Sequence, residues 1–89
     1  MIDLSGKSAL VTGGARGIGK AICLKLAAQG ADIAFVDVGR AEVAQATVAE
    51  IEALGRKAIY IAADVTDPEA CVRAVTATVA AFGKVDILV

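Results

Sequence analysis

The chain has 89 residues with a formal net charge of −1, and 57% of its residues are hydrophobic. This composition excludes a disordered chain, and the balanced charge excludes the basic surface of a nucleic-acid-binding protein. No apolar run approaches the roughly 20 residues of a membrane span, and the first residues do not follow the pattern of a signal peptide. We therefore expect a cytoplasmic protein whose partners include neither nucleic acid nor a membrane.

The cysteines carry no signature of metal or redox chemistry. Cys23 and Cys71 are isolated thiols without the C-x-x-C spacing, and the sequence contains no histidine. This pattern is typical of reduced cysteines in a cytosolic protein, so we expect both thiols to be buried and predict no metal site.

The first half of the chain alternates strand and helix patterns. The segment "SALVT" at residues 8–12 is short, apolar and bounded by glycines, which predicts a buried strand. Apolar positions three or four apart predict a helix from Ile18 to about Gln29, with Gly30 at its end. The segment "ADIAFVD" at residues 31–37 predicts a second strand.

The alternation continues through the second half. Residues 40–54 predict a helix that Gly55 ends, and "KAIYIAA" at residues 57–63 predicts a third strand. The inner face of this helix is predicted to contain Ala44, Thr47, Val48, Ile51 and Leu54.

The start of the third helix has the clearest local pattern. In "TDPE" the spacing of Thr66 and Glu69 matches a capping box, with proline in the first turn. We expect the helix to end at Gly83, and "VDILV" at residues 85–89 to open a fourth strand. The buried stripe of the helix is predicted to contain Val72, Val75, Val79 and Phe82.

Strands that alternate with helices predict an α/β fold. Right-handed crossovers then give a parallel sheet with helices on both faces, and the near-continuous apolar strands agree with burial on both sides. We predict strand order 3-2-1-4, which is the N-terminal part of a Rossmann-like doubly wound sheet, with residues 1–89 forming one truncated dinucleotide-binding domain.

The glycine-rich turn between the first strand and the first helix is the strongest functional signal. Gly13, Gly14, Gly17 and Gly19 occur where a helix N-terminus offers free N–H donors to a phosphate. The spacing is T-G-x-x-x-G-x-G, which differs from the usual G-x-G-x-x-G. A glycine turn alone is also compatible with a structural turn that binds nothing.

Asp37 indicates which cofactor the turn binds. It ends the second strand, where a carboxylate can accept hydrogen bonds from an adenosine ribose and repel a 2′-phosphate, which favours NAD over NADP. Arg16 and Arg40 favour NADP, because a guanidinium can pair with that phosphate. The alternatives are a turn-capping aspartate and two solvated arginines.

Asp64 and Val65 follow the third strand. At the carboxyl end of a strand beside the glycine turn they could form one wall of an adenine pocket, with the carboxylate accepting from the amino group. The alternative is a loop aspartate followed by a core valine.

In combination, "TGGARGIG", Asp37, "DVTDPE" and "FGKVDILV" resemble the N-terminal part of the short-chain dehydrogenase/reductase family, over the whole chain. Bacterial 3-oxoacyl-carrier-protein reductases and sugar or alcohol dehydrogenases are the most similar types, although many of the acyl reductases use NADPH and lack an acidic residue at position 37. The resemblance implies that the NAD-binding residues, with NADP as the alternative cofactor, are Gly13, Arg16, Gly17, Ile18, Gly19, Asp37, Asp64 and Val65.

The resemblance also implies that the catalytic residues lie beyond Val89. The family's Asn-Asn-Ala-Gly, serine and Tyr-x-x-x-Lys follow the fourth strand, whereas Tyr60 lies in a predicted strand and is followed four residues later by Asp64. We expect a parent of about 250 residues, a dimer or tetramer, that interconverts a small alcohol and a carbonyl. The chain alone should be inactive. The alternative is a non-catalytic nucleotide-binding or interaction module.

Overall fold

A computed structural model describes residues 3–15, 17–39 and 41–89. The predicted alternation of strands and helices is confirmed, and the observed bounds differ from the predicted ones by a few residues at most element ends. The elements are β1 (Ser8–Thr12), α1 (Gly17–Ala28), β2 (Asp32–Asp37), α2 (Ala41–Ala53), β3 (Ala58–Ala62), α3 (Pro68–Phe82) and β4 (Ile87–Leu88).

The four strands form one parallel sheet in the order β3-β2-β1-β4, which confirms the predicted order. In the register of the central pair, Val11 lies opposite Phe35. The first strand also pairs with the last, since Leu10 lies opposite Leu88. Because parallel strands share one direction, the carboxyl ends of β1, β2 and β3 meet at one edge of the sheet, where the glycine turn also lies.

Successive residues of the central strands face opposite layers of the core. On one face, Val11 and Phe35 pack with Cys23 of α1 and Ile51 of α2. On the other face, a smaller cluster that includes Leu10 and Val36 packs with Ala74 of α3. The chain thus builds helices on both faces of the sheet, as the alternation of apolar strands predicts.

The predicted inner face of α3 is wrong. Val72, Val75 and Val79 are exposed, with Val72 at 65%, and Phe82 is only partly buried. The buried side chains of this helix are small ones, Ala70, Ala74 and Thr78. The alanines and the valines form adjacent stripes of the same helix, and the sheet covers the stripe of small side chains.

The predicted capping box is displaced by one residue. The N-cap of α3 is Asp67, whose side chain accepts a hydrogen bond from the backbone N–H of Glu69. Thr66 instead donates its hydroxyl to Asp64 Oδ1 at 2.7 Å. A carboxylate accepts the helix N–H more strongly than a hydroxyl does, which is why the residue nearer the proline takes the cap.

The prediction for the cysteines is half right. Cys23 is buried, and burial raises the pKa of its thiol to about 12, so that it stays protonated at neutral pH. Cys71 is exposed on α3, contrary to prediction, because the helix presents its alanines rather than this residue to the sheet. In α2, Ala44, Thr47 and Ile51 are buried as predicted, whereas Leu54 is exposed because it follows the end of the helix.

Candidate functional site

The glycine turn joins the end of β1 to the start of α1. Gly13 and Gly17 have φ values of +68° and +62°, a conformation that side chains other than glycine rarely adopt. A Cβ atom at either position would meet open space. These two glycines therefore give the turn its shape and leave its outer side clear for a ligand.

Gly14 and Gly19 lack side chains for a different reason. A Cβ at Gly19 would collide with the carbonyl group of Gly13, and one at Gly14 would collide with Phe35 and lie 2.9 Å from the Cys23 sulfur. Gly19 thus lets the first turn of α1 lie directly against the backbone of the glycine turn. Of the two, only Gly19 is among the predicted cofactor-binding residues.

Asp37 ends β2 beside the glycine turn and is bonded to it. Its Oδ2 accepts a hydrogen bond from the backbone N–H of Ala15 at 3.1 Å. Its Oδ1 accepts from the N–H groups of Val38 and Gly39 at 2.8 and 3.3 Å. The carboxylate is only partly buried. One side chain therefore links the end of the strand, the following loop and the glycine turn.

A cleft of about 180 Å³ lies at this edge of the sheet. It brings together four of the predicted residues, which lie at the carboxyl ends of three strands: Gly13, Asp37, Asp64 and Val65. Because these residues follow β1, β2 and β3, the strand order alone accounts for their meeting. The lining combines two acidic residues, Asp37 and Asp64, with apolar ones that include Val36, Val38 and Val65.

Asp64 is held in its ionised form. Its Oδ1 accepts from both the hydroxyl and the backbone N–H of Thr66, and these two bonds lower the pKa of the carboxyl below its ordinary value of 3.8. Within the described residues, no hydrogen bond is made to its Oδ2. Asp64 lines the cleft, and among the described residues its second oxygen has no hydrogen-bond donor.

Three further predicted residues, Gly17, Ile18 and Gly19, lie at the start of α1, outside the cleft lining. Gly17 and Gly19 form the first turn of this helix. Ile18, between them, is 81% exposed, which is unusual for a large apolar side chain. Arg16 and Arg40, the two arginines predicted to favour NADP, lie outside the described residues.

A larger cavity of about 360 Å³ opens between α3 and the sheet. It shares Val36, Ala63 and Val65 with the cleft, and its lining is mostly apolar. An apolar cavity with few polar groups does not fix the orientation of a ligand. The polar cleft and the glycine turn are therefore the better candidate site.

Two supporting residues were not identified from the sequence as parts of the site. The hydroxyl of Thr47, in α2, donates to the carbonyl oxygen of Ala15 at 2.7 Å. The hydroxyl of Tyr60, in β3, donates to the carbonyl oxygen of Asp37 at 3.2 Å. The sequence contains one signal for Thr47, which is a threonine within a predicted apolar face. A buried hydroxyl needs a hydrogen-bond partner.

The comparisons with known proteins agree with this geometry. The family model described as short chain dehydrogenase matches residues 7–89. The chain belongs to the short chain dehydrogenase family. Family membership makes NAD(P) the cofactor class of the chain, and the Rossmann-like fold predicted from the alternation of elements agrees with it.

Solved structures of the short chain dehydrogenase family superpose closely on the chain. A short chain dehydrogenase from Burkholderia cenocepacia in complex with NADP is 60% identical, with a TM-score of 0.92 over 96% of this chain and 35% of that one. A dehydrogenase/reductase from Sinorhizobium meliloti is 52% identical, with a TM-score of 0.93 over 97% of this chain and 34% of that one.

A curated relative is matched over the same share of its own length. L-rhamnose 1-dehydrogenase (NAD(P)(+)) from a Sphingomonas species is 46% identical over 86 residues, which are 97% of this chain and 34% of that protein. The chain thus spans about a third of the length of such relatives. In the part of the chain that the structure describes, every helix is too short or too polar to cross a bilayer.

Proposed function

We propose that the chain is the N-terminal, NAD-binding part of a longer oxidoreductase that interconverts an alcohol and a carbonyl by hydride transfer. The observation that carries the proposal is the meeting of Gly13, Asp37, Asp64 and Val65 in one cleft beside the glycine turn. The names of the relatives, which are dehydrogenases and reductases, support the activity.

Each residue has a role that its surroundings make reasonable. The open outer side of Gly13 and Gly17 offers room for a pyrophosphate at the start of α1. Gly19 keeps α1 close to that turn. Arg16 and Ile18, on either side of Gly17, are proposed to contact the phosphates and the bound ligand, respectively.

The cleft is proposed to hold the adenosine. Asp37 would accept hydrogen bonds from the ribose hydroxyls, and the unbonded oxygen of Asp64 would accept from the adenine amino group. Val65 would pack against the ring. Bound in this way, the dinucleotide supplies the hydride acceptor, while the chain itself binds and orients only the adenosine and pyrophosphate.

The choice of NAD rests on the charge of Asp37. A carboxylate at the ribose repels a 2′-phosphate and, with its hydrogen bonds, favours the free hydroxyls. The NADP complex of the Burkholderia relative favours the alternative cofactor. The two cofactors can therefore be compared directly in one experiment.

We predict that the full-length protein binds NADH more tightly than NADPH and that Asp37→Ala reverses or removes this preference. Loss of charge-assisted hydrogen bonds should weaken the binding of NADH by about tenfold or more. The same change removes the repulsion between the carboxylate and the 2′-phosphate of NADPH. Isothermal titration of both cofactors measures the ratio of dissociation constants. Asp37→Asn is a second variant that removes the charge and keeps one of the two acceptor oxygens, so it should also lose the preference for NADH. Tighter NADPH than NADH binding in the unmutated protein would contradict the choice of NAD.

The activity, the substrate and the assembly are proposed for the whole protein. We propose a small alcohol or carbonyl substrate, a dimer or tetramer, and a cytoplasmic location, each from the family. The gene beyond Val89 tests the enzymatic proposal: Asn-Asn-Ala-Gly and a later Tyr-x-x-x-Lys should follow. If they are missing, the second proposal, a nucleotide-binding module without catalysis, replaces the first.

A further inference from the structure

Thr47 is a polar residue on the otherwise apolar inner face of α2. Its side chain is fully buried, with 0% exposed. Its hydroxyl lies 2.7 Å from the carbonyl oxygen of Ala15 and 3.4 Å from that of Val43, one turn earlier in the helix. Because a hydroxyl has a single proton, the shorter contact is the one that receives it. The bond therefore leaves the helix and reaches the glycine turn.

Ala15 is held from both sides of its backbone. Its N–H donates to Asp37 Oδ2 at 3.1 Å, and its carbonyl oxygen accepts from Thr47. The residue is 1% exposed, so water does not compete for either bond. One residue of the glycine turn is thus fixed between the end of β2 and the middle of α2.

We propose that Thr47 is a positioning residue that holds the glycine turn in the conformation that receives a pyrophosphate. This inference rests on the proposed function, because it assumes that a dinucleotide binds at the turn. Thr47 lies inside the core and acts only through Ala15. Without its hydroxyl the buried carbonyl of Ala15 loses its partner, and the turn gains freedom that a ligand must remove again on binding.

Thr78 provides a matched control within the same chain. It is also 0% exposed and lies in a helix, α3, on the opposite face of the sheet. Its hydroxyl donates to the carbonyl oxygen of Ala74, one turn earlier, at 2.8 Å. Valine has the same shape as threonine, so each substitution removes one buried hydroxyl and changes little else. Only the hydroxyl of Thr47 is bonded to the glycine turn.

The test compares Thr47→Val and Thr78→Val in the full-length protein. Titration calorimetry with NADH should show about fivefold to tenfold weaker binding for Thr47→Val and unchanged binding for Thr78→Val. Adenosine, which has no phosphate, should bind both variants as it binds the unmutated protein, in NMR titrations. Thermal melts of all three proteins report stability separately, so that a general loss of folding is distinguished from a loosened turn.

A second pair of variants covers the case in which Thr47→Val does not fold. Thr47→Ser and Thr47→Ala differ from each other only in the hydroxyl. The serine variant should bind NADH about fivefold more tightly than the alanine variant, and its amide exchange at Gly13 to Ala15 should be slower.

The outcomes separate the two proposals. If the unmutated protein binds neither NADH nor NADPH, both the proposed function and the role of Thr47 are wrong. If it binds NADH and Thr47→Val binds equally well, only the positioning role is overturned. Equal weakening by Thr78→Val, or equal loss of adenosine binding, would mean that Thr47 stabilises the fold without positioning the turn.

Discussion

Ile18 stands out among single residues because its apolar side chain extends into solvent beside the glycine turn. It lies in the first turn of α1 and is 81% exposed. An apolar side chain left uncovered beside the glycine turn gains burial from a ligand that binds at that turn. The same exposure means that the residue contributes little to the stability of the chain itself.

We predict that Ile18→Ala weakens the binding of NADH by about threefold to tenfold, because the variant loses part of the apolar area that the ligand covers. The melting temperature should stay within about 2 °C of the unmutated protein, as expected for an exposed site. Fluorescence titration and thermal melts measure the two quantities. Val72→Ala, at an exposed position of α3, is the control and should leave both unchanged; a binding loss there would indicate an indirect effect.

The positions of several site residues could be predicted from the sequence because they depend on strand order. Asp37 and Asp64 each follow a strand, and strand order is fixed by the alternation of apolar runs and helix patterns. The support that Thr47 gives to the turn could not be predicted, because a contact between α2 and the glycine turn depends on how the helix is placed over the sheet.

Among the elements, β4 is the shortest strand and is held by one charged residue as well as by its backbone. Asp86 Oδ2 accepts from the backbone N–H of Ser8 at 2.9 Å and lies 3.1 Å from the ammonium group of Lys84. The bond from Ser8, and then the charge and hydrogen bond of Lys84, lower the pKa of Asp86 below its ordinary value of 3.8. The ionised carboxylate therefore favours the paired strand.

The sign of the resulting pH dependence follows from that lowered pKa. The contribution of Asp86 is fully present above its ordinary value of 3.8 and is lost as the pH falls through the lower value of the folded protein. We predict that Asp86→Asn reduces the loss of stability between about pH 5 and pH 2. Urea unfolding at a series of pH values measures how the free energy of unfolding changes with pH.

Lys84→Met serves as a graded control for Asp86. It removes the charge partner and leaves the bond from Ser8, which is the larger cause of the lowered pKa. The loss of its free energy of unfolding in acid should therefore lie between the losses of the unmutated protein and Asp86→Asn. If the free energy of unfolding of Asp86→Asn falls in acid as steeply as that of the unmutated protein, the carboxylate does not stabilise the strand.

The helices show where sequence patterns are least informative. The apolar stripe of α3 was assigned to its valines, but alanines and a threonine face the sheet. Hydrophobicity alone does not decide between two stripes of one helix, because alanine and valine are both apolar and both recur here at helical spacing. The central strands β1 and β2 left no such choice, since nearly all their residues are buried.

At the scale of the whole molecule, α3 and the segment at β4 leave several large apolar side chains exposed. Val72, Val75 and Val79 lie on the helix, and Leu88 and Val89 lie at the edge strand. An unpaired strand edge beside an apolar helix face is a common cause of association between chains. The 89-residue chain on its own therefore has an apolar surface and unpaired backbone groups to which a second copy can bind.

We predict that the isolated 89-residue chain self-associates and that glutamine at Val72, Val75 and Val79 reduces the association. Sedimentation velocity at several concentrations measures the distribution of species. Glutamine at Val38 and Leu54, which are also exposed apolar positions but lie elsewhere, should have a smaller effect. A monomeric, cooperatively unfolding chain without substitutions would contradict the prediction.

The pairing of the first strand with the last has a consequence for the order of folding. The β1–β2 and β2–β3 pairs join strands that are neighbours along the chain, whereas the pairing of β1 with β4 must close a loop that contains almost all the other elements. Such a closure costs more chain entropy, so it forms after the local pairs. Substitutions in β4 should then mainly change the rate of unfolding, and those between β1 and β2 the rate of folding. The cleft, whose lining comes from the ends of β1, β2 and β3, should therefore form before the pairing with β4 closes.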